Sequence, residues 1–416
     1  MDKKVLVLGT GAQGTTVAKR LNELKNVEKI ICADYDEKAV SAAVDGLDKA
    51  VGVKVNAKDT QDIIKVAEGV DLIVNALPLD FAKNVLDAAL TVKANYQDYA
   101  AGYLDPEKTE TEYWLKDIET MYNEYGRKFA AINRLAVIGT GSAPGLVLVA
   151  ARRGVRELDS CDTIYTICYE GLKAKRYQPH WFSPETALAD MQDDPVAMID
   201  GKVQITAPFS LPIYRSYPEL EGETCMFVEH AHDEAVYICH NADTFFKGVK
   251  NAYFKYGGVG INNAFPLYRS GMLSKEVEVI NGREVIPFEV VLAHIPPAPK
   301  YKEEIQEILD EGLEQDMGCM VAECIGMKDG REITVEVHCY APGLEESFAK
   351  AEMTSEMYLT GQGGFLYTLM FMNDKFDQTG LISSDMLTDD QVDYYFDNAK
   401  NYDITYEIVV KEGKPD

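Results

Sequence analysis

The stretch VLVLGTGAQGTTVAKRLNEL, Val5 to Leu24, constrains the fold more than any other part of the chain. Its aliphatic run reads as a strand buried on both faces, and Val17, Leu21 and Leu24 recur at helical spacing. KIICAD, ending at Asp34, is a second buried strand, so the segment is a β-α-β unit. Between the first strand and the helix stand Gly9, Gly11 and Gly14 in the order GxGxxG. A first glycine there permits a tight turn, a second lets backbone approach a pyrophosphate, and a third lets the helix pack on the strand. Helix-terminal amides then face the phosphates. The expected ligand is a dinucleotide held by Gly9, Gly11, Ala12, Gln13 and Gly14.

Asp34 follows Gly14 by twenty residues. A carboxylate at the end of the second strand can accept hydrogen bonds from both adenine-ribose hydroxyls, whereas a 2′-phosphate would meet a like charge. The following YDEK brings no arginine to offset it, so NAD is expected in preference to NADP. Asp34 could instead cap the helix EKAVSAAVDGL, a role that Asp36 could serve equally well.

VDLIVNALP is a further strand ending near Asn75, FAKNVLDAAL is a helix, and NYQDYA is a short strand. Ligands of open parallel sheets lie beyond the carboxyl ends of the strands. Asn75, Ala76, Leu77, Pro78 and Ala100 are therefore expected to rim the cofactor, with Asp98 and Tyr99 beside them. A long helix is expected from about Pro106 to Arg127, then the strand RLAVIG and a second glycine loop, GTGSAPG. Its spacing is GxGxxxG and Pro144 intrudes, so it is not a second dinucleotide fingerprint.

The chain has 416 residues, 46% of them hydrophobic, enough for two or three globular domains. Its formal charge of -27 argues against nucleic acid as a partner and favours a cationic or zwitterionic small molecule. No stretch approaches the length of a membrane span, and MDKKVLVLG lacks a signal-peptide core, so a cytoplasmic protein is expected. The eight cysteines are scattered without a CxxC pair and read as reduced, buried small hydrophobes.

VLVLGTGAQG, VDLIVNALPLDFAKNVLDAAL, NYQDYA and GSAPGLVLVAAR come in the order and spacing of the saccharopine dehydrogenase-like oxidoreductases, which include saccharopine reductase and lysine dehydrogenases. FSPETAL, MIDGKVQITAP, HAHDEA, GVKNAYFKYGG and MKDGREITVEVHC look similar too, so the resemblance spans nearly the whole chain. It implies an α/β fold: a Rossmann-type dinucleotide-binding domain at 1–140, completed by about 352–416, and at 141–351 a substrate and dimerisation domain with a mostly antiparallel sheet. It also implies a homodimer, and a place for Gly141 and Ser142 beside nicotinamide and substrate. Ala143 stands where the saccharopine reductase branch carries an acid and looks more like the lysine dehydrogenase branch.

In the second domain, CMVAECIGMKDGREITVEVHC reads as two alternating strands, with Ile333, Val335 and Val337 inward and Glu332, Thr334, Glu336 and His338 solvated. EMYLTGQGGFLYTLMFMN takes helical character after its glycines. The loop from Gly171 to Thr186 gathers Arg176, Tyr177 and His180, which either hold a substrate carboxylate or form a solvated surface. Trp181 reads as a packing anchor. In VEHAHDEAVYICH, His230 and His232 would share one face of a strand, which invites a metal, but the acids fall where a turn is plausible. No metal is expected; His232 is either a substrate contact, as the resemblance implies, or a polar strand residue.

The expected chemistry is hydride transfer at a carbon bearing nitrogen, in an amino acid, a diamine or an amine/oxo-acid adduct. Asp98 is the first candidate for the proton and Tyr99 the second. Internal redox with regenerated NAD, as in homospermidine synthesis or cyclodeamination, and a catalytically silent NAD sensor are the alternatives.

Overall fold

The computed structural model describes residues 2–415. By internal contacts the chain divides into two units, Met1–Val149 with Tyr358–Thr405, and Ala150–Met357 with Tyr406–Asp416.

In the first unit, seven parallel strands form one sheet in the order Gly380–Ser383, Leu135–Ile138, Asn95–Asp98, Leu72–Asn75, Lys3–Leu8, Val27–Asp34 and Ala50–Lys54. Lys3–Leu8 lies centrally because Val5, Leu6, Val7 and Leu8 expose 1% of their surface or less and need cover on both faces. Its neighbours are the second strand in sequence on one side and the fourth on the other. This reversal of strand order opens a crevice at the carboxyl ends of Lys3–Leu8 and Leu72–Asn75.

Two helices differ from expectation. The long helix starts at Thr111 rather than Pro106, because Asp105 turns the chain by accepting from Glu107 N–H and pairing with Lys108. It continues through a π-type turn at Met121–Tyr125 into Gly126–Ala131. The apolar helix near the C-terminus, Ser355–Met372, runs straight through its glycines rather than beginning after them. A Cβ on Gly361 would lie 2.8 Å from Thr16 Oγ1, one on Gly363 2.8 Å from the Gly141 carbonyl, and one on Gly364 2.9 Å from Tyr99 Oη. Close packing thus offsets a helix cost of about 1 kcal/mol per glycine.

The second unit is built on a nine-stranded mixed sheet. Its spine runs Lys202–Ile205, Val196–Ile199, Asn251–Gly258, Ser160–Glu170, Gly318–Lys328, Arg331–Tyr340 and Thr405–Glu412, and Ile213–Arg215 joins through Cys225–Glu229. The pair Asn251–Gly258 and Ser160–Glu170 is parallel; the other pairs with a determined register are antiparallel. The hairpin at Asp329–Gly330 forms as expected, both residues having positive φ (50° and 75°).

Of the face expected to be solvated, only Glu332 is exposed. Thr334, Glu336 and His338 are as buried as Val335 and Val337. Tyr217, Leu220, Cys225 and Phe227 pack with Ile167 and Val321, and Glu219 from the same segment reaches His338. Imidazole Nδ1 lies 2.7 Å from Glu219 and Nε2 3.1 Å from Glu336. All eight cysteines are free; seven are buried and Cys239 is partly exposed.

Candidate functional site

Each glycine of the first loop occupies the situation its spacing implies. Gly9 has φ +87°, and a Cβ there would sit 2.5 Å from the Ala76 carbonyl oxygen and 3.2 Å from the Leu77 side chain. Gly14 has no room for a Cβ against the Gly9 carbonyl. Gly11 faces open space, with nothing within 4 Å of where its Cβ would be. Gly11 also precedes the helix Ala12–Glu23, which has no side-chain cap and no acid in its first turn. Its first amides, those of Ala12, Gln13 and Gly14 among them, are left to an anion.

Ala76 closes the other side of this loop, its N–H donating to the Leu8 carbonyl at 2.7 Å. Asn75 is buried; its amide donates to Tyr96 Oη at 3.1 Å and its Oδ1 accepts Leu77 N–H at 3.3 Å. Pro78 leads into the turn Leu79–Phe81, whose Leu79 carbonyl accepts Tyr103 N–H at 3.2 Å, so the Asn75–Pro78 and Asp98–Ala100 segments lie side by side.

Asp34 points back at the glycine loop: one carboxylate oxygen accepts Thr10 N–H at 2.8 Å and Thr10 Oγ1–H at 3.2 Å, the other Asp36 N–H at 3.1 Å. Asp36 takes the helix-capping role, accepting from Lys38 N–H at 2.9 Å and Ala39 N–H at 3.4 Å. The helix is thus capped by Asp36 and not by Asp34.

Asp98 has a structural occupation that its sequence position did not reveal. Its two carboxylate oxygens accept Gly139 N–H and Tyr96 Oη–H, both at 2.8 Å, and its carbonyl accepts Thr140 N–H at 3.0 Å. This pins the second glycine loop to the sheet, and the side chain is only 2% exposed. Tyr99 differs: its ring lies against Gly141 and Gly364, and its buried hydroxyl has no hydrogen-bond partner. Burial pushes that phenol well above its ordinary range, so it stays protonated and can donate.

The second loop is closed by Gly145 at φ +132°, whose Cβ would lie 2.6 Å from Gly141 N. Ser142 Oγ lies 2.8 Å from Thr360 Oγ1. Gln97, which no sequence motif singles out, donates to Thr140 Oγ1 at 3.0 Å and the Gly364 carbonyl at 2.8 Å, and accepts from Thr368 Oγ1 at 2.8 Å. The signal that could have exposed this cluster was the glycine trio in GQGG, too dense for a helix unless something presses on it.

In the second unit the expected substrate residues separate. Arg176 is bound through both Nε and Nη2 to Glu311, with Glu307 at 3.3 Å, so its fork is already filled by carboxylates of the helix Lys302–Glu311. Tyr177 is 61% exposed. Trp181 is the anchor expected, donating to the Leu172 carbonyl at 3.1 Å inside an apolar cluster. His180 is buried, which pulls its pKa down to about 4 and keeps it neutral.

The strand Cys225–Glu229 ends before His230, so the two histidines do not share a strand. They lie in the turn before the helix Glu234–His240, their rings 5.9 Å apart. His232 Nδ1 is 2.7 Å from Glu234 Oε2. Burial alone would lower its pKa, but Glu234, with Asp233 and Asp190, outweighs that and holds it at about 9. His230 is lowered to about 3 by burial and by His232. Both His180 and His232 flank the end of the helix Pro184–Asp190: His180 and Met191 meet at Gly260, and Ala231 N–H donates to the Asp190 carbonyl at 3.3 Å. Among the described residues no group of three His, Cys, Asp or Glu is arranged to hold a metal ion.

Residues 5–130 match the family model of the saccharopine dehydrogenase NADP binding domain. The nucleotide-binding domain is of the saccharopine dehydrogenase-like family. The glycine cradle and Asp34 fit the NAD(P) class that this domain takes. Across the whole chain the fold is similar to an apo saccharopine dehydrogenase (L-Glu forming) from Saccharomyces cerevisiae. The TM-score is 0.69 at 14% identity, covering 98% of this chain and 100% of that one. It is also similar to a homospermidine synthase from Legionella pneumophila in complex with NAD, with a TM-score of 0.66 at 10% identity, covering 99% of this chain and 92% of that one. No described helix is long and apolar enough to cross a membrane.

Proposed function

We propose that this protein is an NAD-linked oxidoreductase that transfers hydride at a carbon bearing nitrogen in an amino acid, a diamine or an amine/oxo-acid adduct. The observation that carries the nucleotide choice is the Asp34 carboxylate against Thr10, with Asp36 relieving it of capping. Gly9, Gly11 and Gly14, with the amides of Ala12 and Gln13, would hold the pyrophosphate, and Asp34 the adenine ribose. Bound NAD supplies the hydride acceptor. Tyr99, the buried hydroxyl without a partner beside Gly141, is the group we assign to the reacting nitrogen, as a hydrogen-bond donor. Asp98 is a positioning residue in this reading, fixing the loop that carries Gly141 and Ser142. A homodimer, the assembly expected from sequence, belongs to the same proposal.

The test is an absorbance assay for NADH with lysine, ornithine, diamines and amine/oxo-acid pairs. Amine-dependent NADH formation, or consumption in the reductive direction, is the expected result. Failure with every amine and pair while NADH still binds would overturn the dehydrogenase reading in favour of internal redox or a sensor.

A further inference from the structure

The second unit contains a cluster of carboxyls whose charge its own residues do not match. The parallel strands Ser160–Glu170 and Asn251–Gly258 end side by side, and Tyr256 pairs in register with Cys168 and Gly258 with Glu170. On the face bearing Phe254 and Tyr256 lie the two histidines of the following turn, His232 stacked on Phe254 at 4.1 Å and His230 over Tyr256 at 4.6 Å. Glu234 is fully buried here: one oxygen meets His232 and the other has no partner. Glu170 lies within electrostatic reach of His232 and Tyr256, and the Cys168 thiol between them feels both Glu170 and Glu234. Glu356, neighbour to Glu170 and Tyr256, also has a buried oxygen without a partner. Asp190 faces His232 from the end of its helix, with Asp193 and Asp233 near; Lys275, the cation on that side, is paired with Asp193 at 2.9 Å.

Three carboxyls, Glu170, Asp190 and Glu234, thus act on one imidazolium, that of His232, and a fourth, Glu356, lies beside Glu170. A buried carboxylate oxygen without a donor is costly and is relieved either by holding a proton or by receiving a cation. The protein uses the first route: burial pushes Asp190 up to about 7 and raises Glu170 and Glu356. An incoming ammonium would use the second, bringing N–H donors to the orphaned oxygens of Glu234 and Glu356.

We infer that this cluster, centred on Glu234 and Asp190, is the binding site for a terminal primary alkylammonium group, one with no carboxylate on the carbon that bears it. The inference deepens the proposed function, since it rests on an amine as substrate class, but it concerns binding and can fail separately.

The experiment is isothermal titration of the full chain, without nucleotide, with lysine, 1,4-diaminobutane and norleucine, the last lacking the side-chain amine. Lysine and diaminobutane should bind, and norleucine roughly tenfold more weakly or worse. Glu234→Gln and Asp190→Asn should each weaken lysine by a similar factor while NADH affinity stays as in the parent protein. Asp190 is only half-buried, so its variant gives the reading if Glu234→Gln does not fold. Equal binding of lysine and norleucine, no binding of either amine, or parental affinity in folded variants overturns the site. Amine oxidation with lysine affinity untouched by both substitutions would sink this inference and leave the proposed function standing; lysine binding without any NADH formation would do the reverse.

Discussion

The Asp34 carboxylate accepts the Thr10 backbone N–H at 2.8 Å, tying the end of the second strand to the middle of the glycine loop. An adenosine 2′-phosphate placed against this carboxylate would meet a like charge, with Lys54 on the adjacent strand already 3.4 Å from Glu37. NAD(H) should therefore bind at least about tenfold more tightly than NADP(H), since juxtaposed like charges cost several kcal/mol. Fluorescence titration with both nucleotides measures this, and equal or reversed affinity would refute it.

Two glycines that look alike in sequence should respond in opposite ways to alanine. Gly364→Ala places a methyl against Tyr99 in a packed core and should lower stability by about 1–3 kcal/mol. Gly11→Ala meets no protein atom within 4 Å. It should leave the melting temperature nearly unchanged and weaken NADH, because the methyl would occupy the approach to the phosphates. Thermal melts paired with nucleotide titration separate the two; a stable Gly364→Ala or a tightly binding Gly11→Ala would contradict this packing.

Asp98 and Tyr99 divide structure from chemistry. Asp98→Asn sets an amide against the Gly139 N–H or the Tyr96 hydroxyl, so turnover and stability should fall together, the latter by about 1–3 kcal/mol. Tyr99→Phe removes a hydroxyl that has no partner. Its melting temperature should hold or rise while turnover drops by roughly a hundredfold. Unimpaired turnover in Tyr99→Phe would remove this phenol from the reaction.

His338 predicts a pH dependence of stability. Burial alone would lower its pKa, but Glu219 and Glu336 raise it to about 9, from an ordinary value near 6.5. A raised histidine contributes its full stabilisation below the unfolded pKa and loses it as pH climbs through the folded one. Melting temperature should thus decline from about pH 7 to beyond pH 9, with His232 adding to the same slope. Glu336 works in the opposite sense: His338 and Lys411 outweigh burial and hold it below its ordinary value, so its contribution is lost on acidification. His338→Gln should flatten the alkaline decline in a differential scanning series. An unchanged slope would show that the Glu219–His338–Glu336 pairing does not persist in solution.

Much of the first unit was legible because its signals are local. A tight turn, a close backbone approach and a buried strand each restrict residue type within a few positions, so Gly9, Gly11, Gly14 and Asp34 announce themselves. The same holds for the hairpin at Asp329–Gly330, where positive φ selects the turn residues. The Ser355–Met372 helix was misjudged at its start because helix propensity counts glycine as a defect. The compensating contacts, Thr16, Gly141 and Tyr99, lie more than two hundred residues away in sequence.

The sequence by itself determined the parallel nucleotide-binding sheet, the glycine cradle and the acid at the end of the second strand, since backbone geometry demands those residues wherever the rest of the chain goes. Tertiary structure alone decided which charges are spent and which are available. Arg176 is filled by Glu311, Asp98 by Gly139 and Tyr96, and His338 by Glu219 and Glu336, while Tyr99 and Glu234 keep a buried oxygen without a partner. The reason is range: a polar side chain is satisfied by whichever group folding brings within about 3 Å, and in each of these pairings except Asp98 with Tyr96 and His338 with Glu336 the decisive partner lies tens of residues or more away along the chain.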